Sequence, residues 1–284
     1  MELVVFVLLL ALVGVLAGLV GSLTGVGGAV IVAPVLVLAF GAPFPIAAGA
    51  GLVTVLSTST TTGSVYVRRH LTDLRIGMFL EIATVPGALA GAGLTVFLVH
   101  HDLSAALLVG LGGVLLVTFA SSVVRWQSAE GPTPVPDARS AALGLSGTYH
   151  DEQLGRDVAY QASRTSPALG VSFGAGVVSG MFGIGGGVFK VVALEHFLRL
   201  PIKVATATSN FMIGVTAAAG AGVLLAAGYV DPYVAAPAAL GTALGAAAGS
   251  RLLPGLKNRT IRFVFLLVIA GLAVETILRG LGVL

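Results

Sequence analysis

The sequence predicts an all-α polytopic membrane protein built from two inverted repeats, and three observations predict it. Hydrophobic residues make up 56% and charged residues 10% of the 284. Soluble domains carry roughly 25% charged residues, so this chain lacks the polar surface to cover itself in water. Apolar stretches near the roughly 20 residues that cross a bilayer recur at 3–22, 43–67, 76–99, 103–124, 201–227, 233–250 and 261–278. Sliding the chain against itself by 158 positions superposes two glycine-dense breaks, and the register runs without a gap from Gly18 to Leu94 with 18 identities in 77 positions. The apolar runs lack the alternating polar face of a barrel strand, which disfavours a β-barrel.

Each half reads as a glycine-broken hairpin a (3–40; 168–199) followed by helices b (43–67; 201–227), c (74–99; 232–251) and d (103–125; 261–279). This is read as about eight full spans plus two short hairpin elements, or about eight to ten helices in all. The opening "MELVVFVLLLALVGVLAGLVGSL" has no basic n-region and no small-residue cleavage site, so it reads as a retained segment rather than a signal peptide. Pro43 and Pro201 open helix b in the two halves, and Asp73 and Asp231 precede helix c. Gly87, Ala88 and Gly91 match Gly245, Ala246 and Gly249, small residues that suit close helix packing. The halves, 1–125 and 167–284, are joined by a polar linker, 126–166, whose prolines, glycines and mixed charges suit an extramembrane segment with a short helix near 150–162.

Loop charge gives the repeat its sign. Arg68, Arg69 and Arg75 lie between helices b and c of the first half, while its c–d loop "HHDLS" has no Lys or Arg. The second half reverses this: "GYVDP" is bare, and the c–d loop carries Arg251, Lys257, Arg259 and Arg262. The positive-inside rule puts loops 68–75 and 251–262 and the linker inside, and both termini outside, with Arg279 dissenting. Arg199 and Lys203 place the start of the second helix b inside too, so hairpin a must enter and leave on one face. Its arms, 168–182 and 187–199, are each shorter than a full span.

The breaks "GSLTGVGGAVI" (21–31) and "GMFGIGGGVFK" (180–190) are where chemistry is expected. Backbone at membrane depth leaves the helical ladder only where protein or a water-filled cavity surrounds it. Beyond each break a helix begins whose first N–H groups lack partners and whose dipole is positive, which suits an anion. Interrupted segments at matched places in inverted halves point to a transporter's midplane site. Candidate substrate-binding residues are Gly25, Gly27, Gly28 and Ala29 at the first break and Gly183, Gly185, Gly186 and Gly187 at the second. On helix b, Thr54, Ser57, Thr58 and Thr61 share one face, and Thr206, Ser209 and Asn210 repeat the spacing. Back-bonding to the helix or gluing neighbours together is the other use of such hydroxyls. Lys190, one of three lysines, follows the second break, where its charge opposes the helix dipole. Binding an anionic substrate, snorkelling to the inner interface or pairing with Glu195 would each compensate it. Glu81 and Glu275 are carboxylates within apolar helices that could carry protons or pair with an arginine.

Those breaks, the duplication and the polar mid-chain linker resemble the TauE/SafE sulfite exporter-type permease family, on "GSLTGVGGAVIVAPVL" and "GVVSGMFGIGGGVFKVVAL". The resemblance implies a permease for sulfite, sulfoacetate or other small sulfur-containing anions. Within it the two breaks differ, with Ala29 matching Gly187 and Val32 matching Lys190, so the halves should contribute unequally. No GK[ST] ending of a nucleotide-binding loop follows either break, and no nucleophile–base or metal spacing appears. The chain reads as a transporter rather than an enzyme, with no cofactor; a passive anion channel and a transporter of a non-sulfur carboxylate are the alternatives. Its expected partners are a small anionic substrate and the lipid bilayer. A coupling proton or ion and a homodimer stay open, and the small net charge of +3, sited mostly at helix ends, argues against nucleic acid.

Overall fold

The computed structural model describes residues 2–127, 138–151, 155–252, 266, 270–274 and 276–278. Helices α1 (Glu2–Thr24) and α2 (Ala29–Leu38) flank the first glycine break, and α3 (Phe44–Arg68), α4 (Leu74–His100) and α5 (Ser104–Gln127) follow. A short α6 (Ala138–Ala142) and an antiparallel hairpin, β1 (Ser146–Asp151) and β2 (Arg156–Gln161), occupy the linker. Helices α7 (Thr165–Phe182) and α8 (Gly187–Val192) flank the second break, α8 continues into a π-helical turn (Ala193–Phe197), and α9 (Ile202–Ala226) and α10 (Pro232–Leu252) complete the set. Four described helices, Val4–Thr24, Phe44–Arg68, Leu74–His100 and Ile202–Ala226, are long and apolar enough to cross a membrane. The c–d loop of the second half, most of its helix d, Glu275 and Arg279 lie outside the described residues.

The matched prolines and aspartates do the same work twice. Pro43 and Pro201 stand immediately before α3 and α9 with φ −55° in both and ψ 139° and 141°. Proline fixes that φ and lacks the N–H that a first turn would leave unpaired. The Asp73 carboxylate accepts from the Ile76 N–H at 3.0 Å to start α4, and Asp231 accepts from the Tyr233 N–H at 2.8 Å to start α10.

Small residues let the long helices lie backbone to backbone. Helix α1 runs along α10 and α7 along α4. A Cβ on Gly18 would overlap the Thr242 carbonyl, and one on Gly176 the Thr84 carbonyl; Gly245 stands likewise against Val15 and Gly87 against Phe173. Each member of one pair lies 158 positions from its counterpart in the other. Thr95 adds a hydrogen bond of 2.7 Å to the Met181 carbonyl along the α4–α7 seam. Helix α3 packs on α9 and α10 at the centre. The outward faces carry exposed Leu8, Leu12, Leu16, Ile82, Leu89 and Leu240, apolar side chains suited to a hydrocarbon surround.

Two sequence-based expectations change here. The first broken hairpin is not short throughout, since α1 has 23 residues against 10 in α2. In the second, α7, with 18, and α8, continued by its π-helical turn to Phe197, stay near 168–182 and 187–199. The packing against α10 accounts for the length of α1, since the small residues that hold it there run almost to the break. The segment 150–162 is a β-hairpin, not a helix. Its burial alternates, with Tyr149 and Asp151 buried between exposed Thr148 and His150, which is the period of a strand. The hairpin docks under the ends of α4 and α9. Tyr160 donates to Asp73 at 3.0 Å, Arg75 to the Gly144 carbonyl at 3.0 Å, and Lys203 pairs with Asp151 at 2.9 Å. Burial, with the Asp73 carboxylate beside it, pushes the Tyr160 phenol above its ordinary range. Leu145 and Tyr149 fill an apolar cluster with Tyr66, Ile76, Leu194 and Val204.

Candidate functional site

The two glycine breaks meet. Gly27 and Gly185 both abut the side chains of Val55 and Ile213. Each of those is the twelfth residue of a 25-residue helix, α3 and α9, so the meeting point lies halfway along the central pair. The chain turns there through left-handed backbone at Gly25 (φ 75°) and Gly27 (φ 84°), and at Gly183 (φ 72°), Gly185 (φ 77°) and Gly186 (φ 62°). Residues with a Cβ avoid that region, whereas glycine enters it freely. Gly28, the residue before α2, is right-handed at φ −69°. The second break therefore has one more left-handed residue than the first. The breaks also touch: a Cβ on Gly187 would lie 2.6 Å from the Val26 Cα and 2.7 Å from the Gly25 carbonyl. That contact explains why glycine stands at 187 where its counterpart is Ala29, a buried residue with room for its methyl.

Side chains from α9 satisfy the carbonyls that α1 leaves behind. A helix ends with four carbonyls lacking intrahelical partners. Asn210 donates to the Ser22 carbonyl at 3.1 Å, Tyr66 donates to the same oxygen at 3.0 Å, and Ser209 donates to the Gly25 carbonyl at 2.7 Å. Thr206 lies against Gly25 and lends its own carbonyl to Asn210 at 3.1 Å. Asn210 thus sits at the first break and Ser209 between the two, with their protons aimed at backbone. Two buried polar atoms there have no hydrogen-bond partner among the described residues: Asn210 Oδ1 and Ser179 Oγ, the latter beside Gly186. A narrow crevice at the second break is lined by Val30, Thr118, Ile184, Gly186, Gly187 and Phe189, and it is too tight for a water molecule in this conformation.

The hydroxyl face of α3 is turned to the helix itself. Thr54 donates to the Gly51 carbonyl at 2.7 Å, Thr58 to Thr54 at 2.8 Å and Thr61 to Ser57 at 2.8 Å. Ser57 donates across to the Ala239 carbonyl of α10 at 2.6 Å. Each hydroxyl keeps acceptor lone pairs but has its proton engaged.

Lys190 is fully buried and makes an ion pair that spacing alone does not reveal. Its Nζ lies 3.0 Å from Glu81 Oε1 and 2.9 Å from the Met212 carbonyl, and it also donates to Thr216 Oγ1. Thr216 in turn donates to the Glu81 carboxylate at 2.9 Å. An ammonium has three protons, and all three are engaged. Lys190 neither pairs with Glu195 nor reaches the interface. It reaches instead from α8 to Glu81 on α4 and to the Met212 carbonyl and Thr216 hydroxyl of α9. Thr216 and Tyr66 were not legible as functional residues. The available signal was charge balance: a lysine just past the second break needs a counter-charge, and Glu81 was one of the carboxylates within apolar helices that could supply it.

Comparison with known proteins agrees with this architecture. The sequence pattern "Sulfite exporter TauE/SafE" matches residues 10–276. The chain is 26% identical to the probable membrane transporter protein YunE of Bacillus subtilis (strain 168), over 97% of this chain and 98% of that one. It is 27% identical to the probable membrane transporter protein MJ0441 of Methanocaldococcus jannaschii, over 88% and 85% of the two chains. With YdhB of Bacillus subtilis (strain 168), another probable membrane transporter protein, it shares 26% identity over 86% and 89%. No solved structure matches. With the match spanning nearly all of its length, the chain belongs to the sulfite exporter TauE/SafE family of membrane transporters.

Proposed function

We propose that this protein is a secondary transporter that moves a small sulfite-like or organosulfonate anion across the cytoplasmic membrane, with the anion held where the two glycine breaks meet. The convergence of both breaks on Val55 and Ile213, halfway along α3 and α9, carries the reading. Backbone N–H groups around 27–30 and 185–188 would face the anion, and the unpartnered Ser179 hydroxyl beside Gly186 is a further donor. The family description supports the sulfur anion as substrate class.

The two halves would act as inverted repeats rocking about that point. Support comes from the packing contacts that recur at an offset of 158 and from the linker hairpin, which docks at the same end as the arginine-rich 68–75 loop and the start of α9. Cysteines introduced at His70 and Val230 are then expected to label from opposite faces of the membrane. Labelling of both from one face would defeat the inverted arrangement.

The substrate class is tested by thermal unfolding in detergent against sulfite, sulfoacetate, taurine, sulfate, phosphate and acetate. A bound substrate stabilises by about 2.7 kcal/mol at a hundredfold excess over Kd, so a sulfite or sulfonate anion is expected to raise Tm while acetate leaves it unchanged. Stabilisation by acetate alone would favour a carboxylate transporter. Electrodiffusive flux that never saturates would favour a channel.

A further inference from the structure

We propose that Glu81 is the proton-binding site that couples anion movement to the proton gradient, and that Lys190 is the charge it releases to the anion. This names the coupling ion of the transport reading and rests on that reading.

The Lys190–Glu81 pair sits where a pair is expensive. Lys190 is fully buried and Glu81 is 4% exposed. Taking both charges out of water costs more than their attraction returns, and apolar residues of like volume are often equally stable in such a place. An ionisable residue inside a membrane protein is a functional candidate for that reason. The pair also joins the two halves, from α4 in the first to α8 in the second, with α9 supplying the Met212 carbonyl and the Thr216 hydroxyl. Lys190 stands one helical turn beyond Gly187, the residue at which the second break touches Val26 and Gly25 of the first, so the pair is anchored on the short helix that the breaks hold in place.

Among the described residues the neighbouring elements supply no competing charge at this depth. Helix α7 contains no ionisable side chain and brings the Ser172 and Ser179 hydroxyls. On α9, Lys203 lies in the first turn, paired with Asp151. On α4, Arg75 sits in the first turn and bonds Gly144. The nearest phenol, Tyr66 on α3, donates to Ser22, and Glu195 and His196 lie in the π-helical turn beyond α8.

The charge balance gives the direction of coupling. With Glu81 ionised the pair is neutral, all three Lys190 protons are engaged, and an arriving anion must compete with the carboxylate. A proton added at Glu81 Oε1 makes a neutral acid and breaks its charge-assisted bond to Lys190. The ammonium keeps Met212 and Thr216 and carries one uncompensated positive charge, which a singly charged anion restores to neutrality. Proton and anion therefore enter and leave together, one for one.

The test has two arms. In proteoliposomes, uptake of labelled methanesulfonate, a singly charged sulfonate, is measured with and without a proton gradient of one pH unit. Wild type is expected to accumulate the anion up to about tenfold, the limit for one proton per anion, whereas in Glu81→Gln whatever uptake persists is the same with the gradient and without it. In detergent, infrared spectroscopy follows protonated carboxyl groups through a pH titration without any substrate. A band that titrates in wild type and is missing in Glu81→Gln is expected, and Glu81→Gln/Lys190→Met provides a folded control without either charge. Wild type that exchanges no panel anion would bring down the transport reading but leave the infrared arm standing. Gradient-driven accumulation by Glu81→Gln, or an infrared titration identical in both proteins, overturns the coupling assignment.

Discussion

Gly186→Leu is expected to abolish anion transport while the protein still inserts into the membrane. Gly186 adopts φ 62°, and a Cβ there would overlap the Ala175 carbonyl and lie 3.3 Å from the Ser179 Cβ. The left-handed backbone alone costs a residue with a Cβ roughly 1–2 kcal/mol, and relieving the overlap must push α8 away from α7. That displacement moves Gly187 off Val26 and opens the contact between the two breaks. Even Gly186→Ala should therefore lower both Tm and uptake. Gly222→Ala is the control: it lies on α9 with open space around it, and alanine in a helix gains up to about 1 kcal/mol over glycine. Uptake and Tm at or above the wild-type level for Gly222→Ala, with uptake lost in Gly186→Leu, would separate a failure of the break from a general intolerance of larger side chains. Normal uptake by Gly186→Leu would refute the site assignment.

What could be read from the residues and what could not divides along physical lines. The apolar runs gave α1, α3, α4 and α9 because burial of backbone polar groups in hydrocarbon leaves a helix as the economical span. The paired prolines and aspartates located helix starts in both halves because their chemistry is local: a fixed φ, and a carboxylate within reach of the next turn. The hairpin at 146–161 escaped notice because six-residue strands carry little periodic signal and Asp151 and Tyr160 take partners, Lys203 and Asp73, that lie far along the chain. The length of α1 was hidden for a similar reason: it is set by packing along α10, which a reading of one segment does not include. At the candidate site the glycines were legible, since positive φ and close approach both select glycine. The direction of each hydroxyl was not, because Thr54, Thr58 and Thr61 satisfy a helical carbonyl as readily as a ligand, and the choice depends on what stands opposite.

Lys190→Met is expected to lower stability by about 3 kcal/mol or more, the usual result of leaving a buried charge without its partner. Glu81 would then face only the Thr216 hydroxyl, which cannot neutralise a carboxylate. Glu81→Gln should fare nearly as badly, because the ammonium retains Met212 and Thr216 but loses its counter-charge. Combining them as Glu81→Gln/Lys190→Met removes both charges and keeps the volume, so most of the loss should return. A double-mutant cycle on the detergent-solubilised protein, followed by unfolding, measures that coupling directly. Additive single effects would mean that the two side chains are independent, and the bridge between α4 and α8 would then contribute nothing to either half. A strong coupling energy, with a double variant as stable as wild type, would mean that the pair is dispensable for folding. The reason for burying two charges between α4, α8 and α9 would then have to lie in what the protein carries.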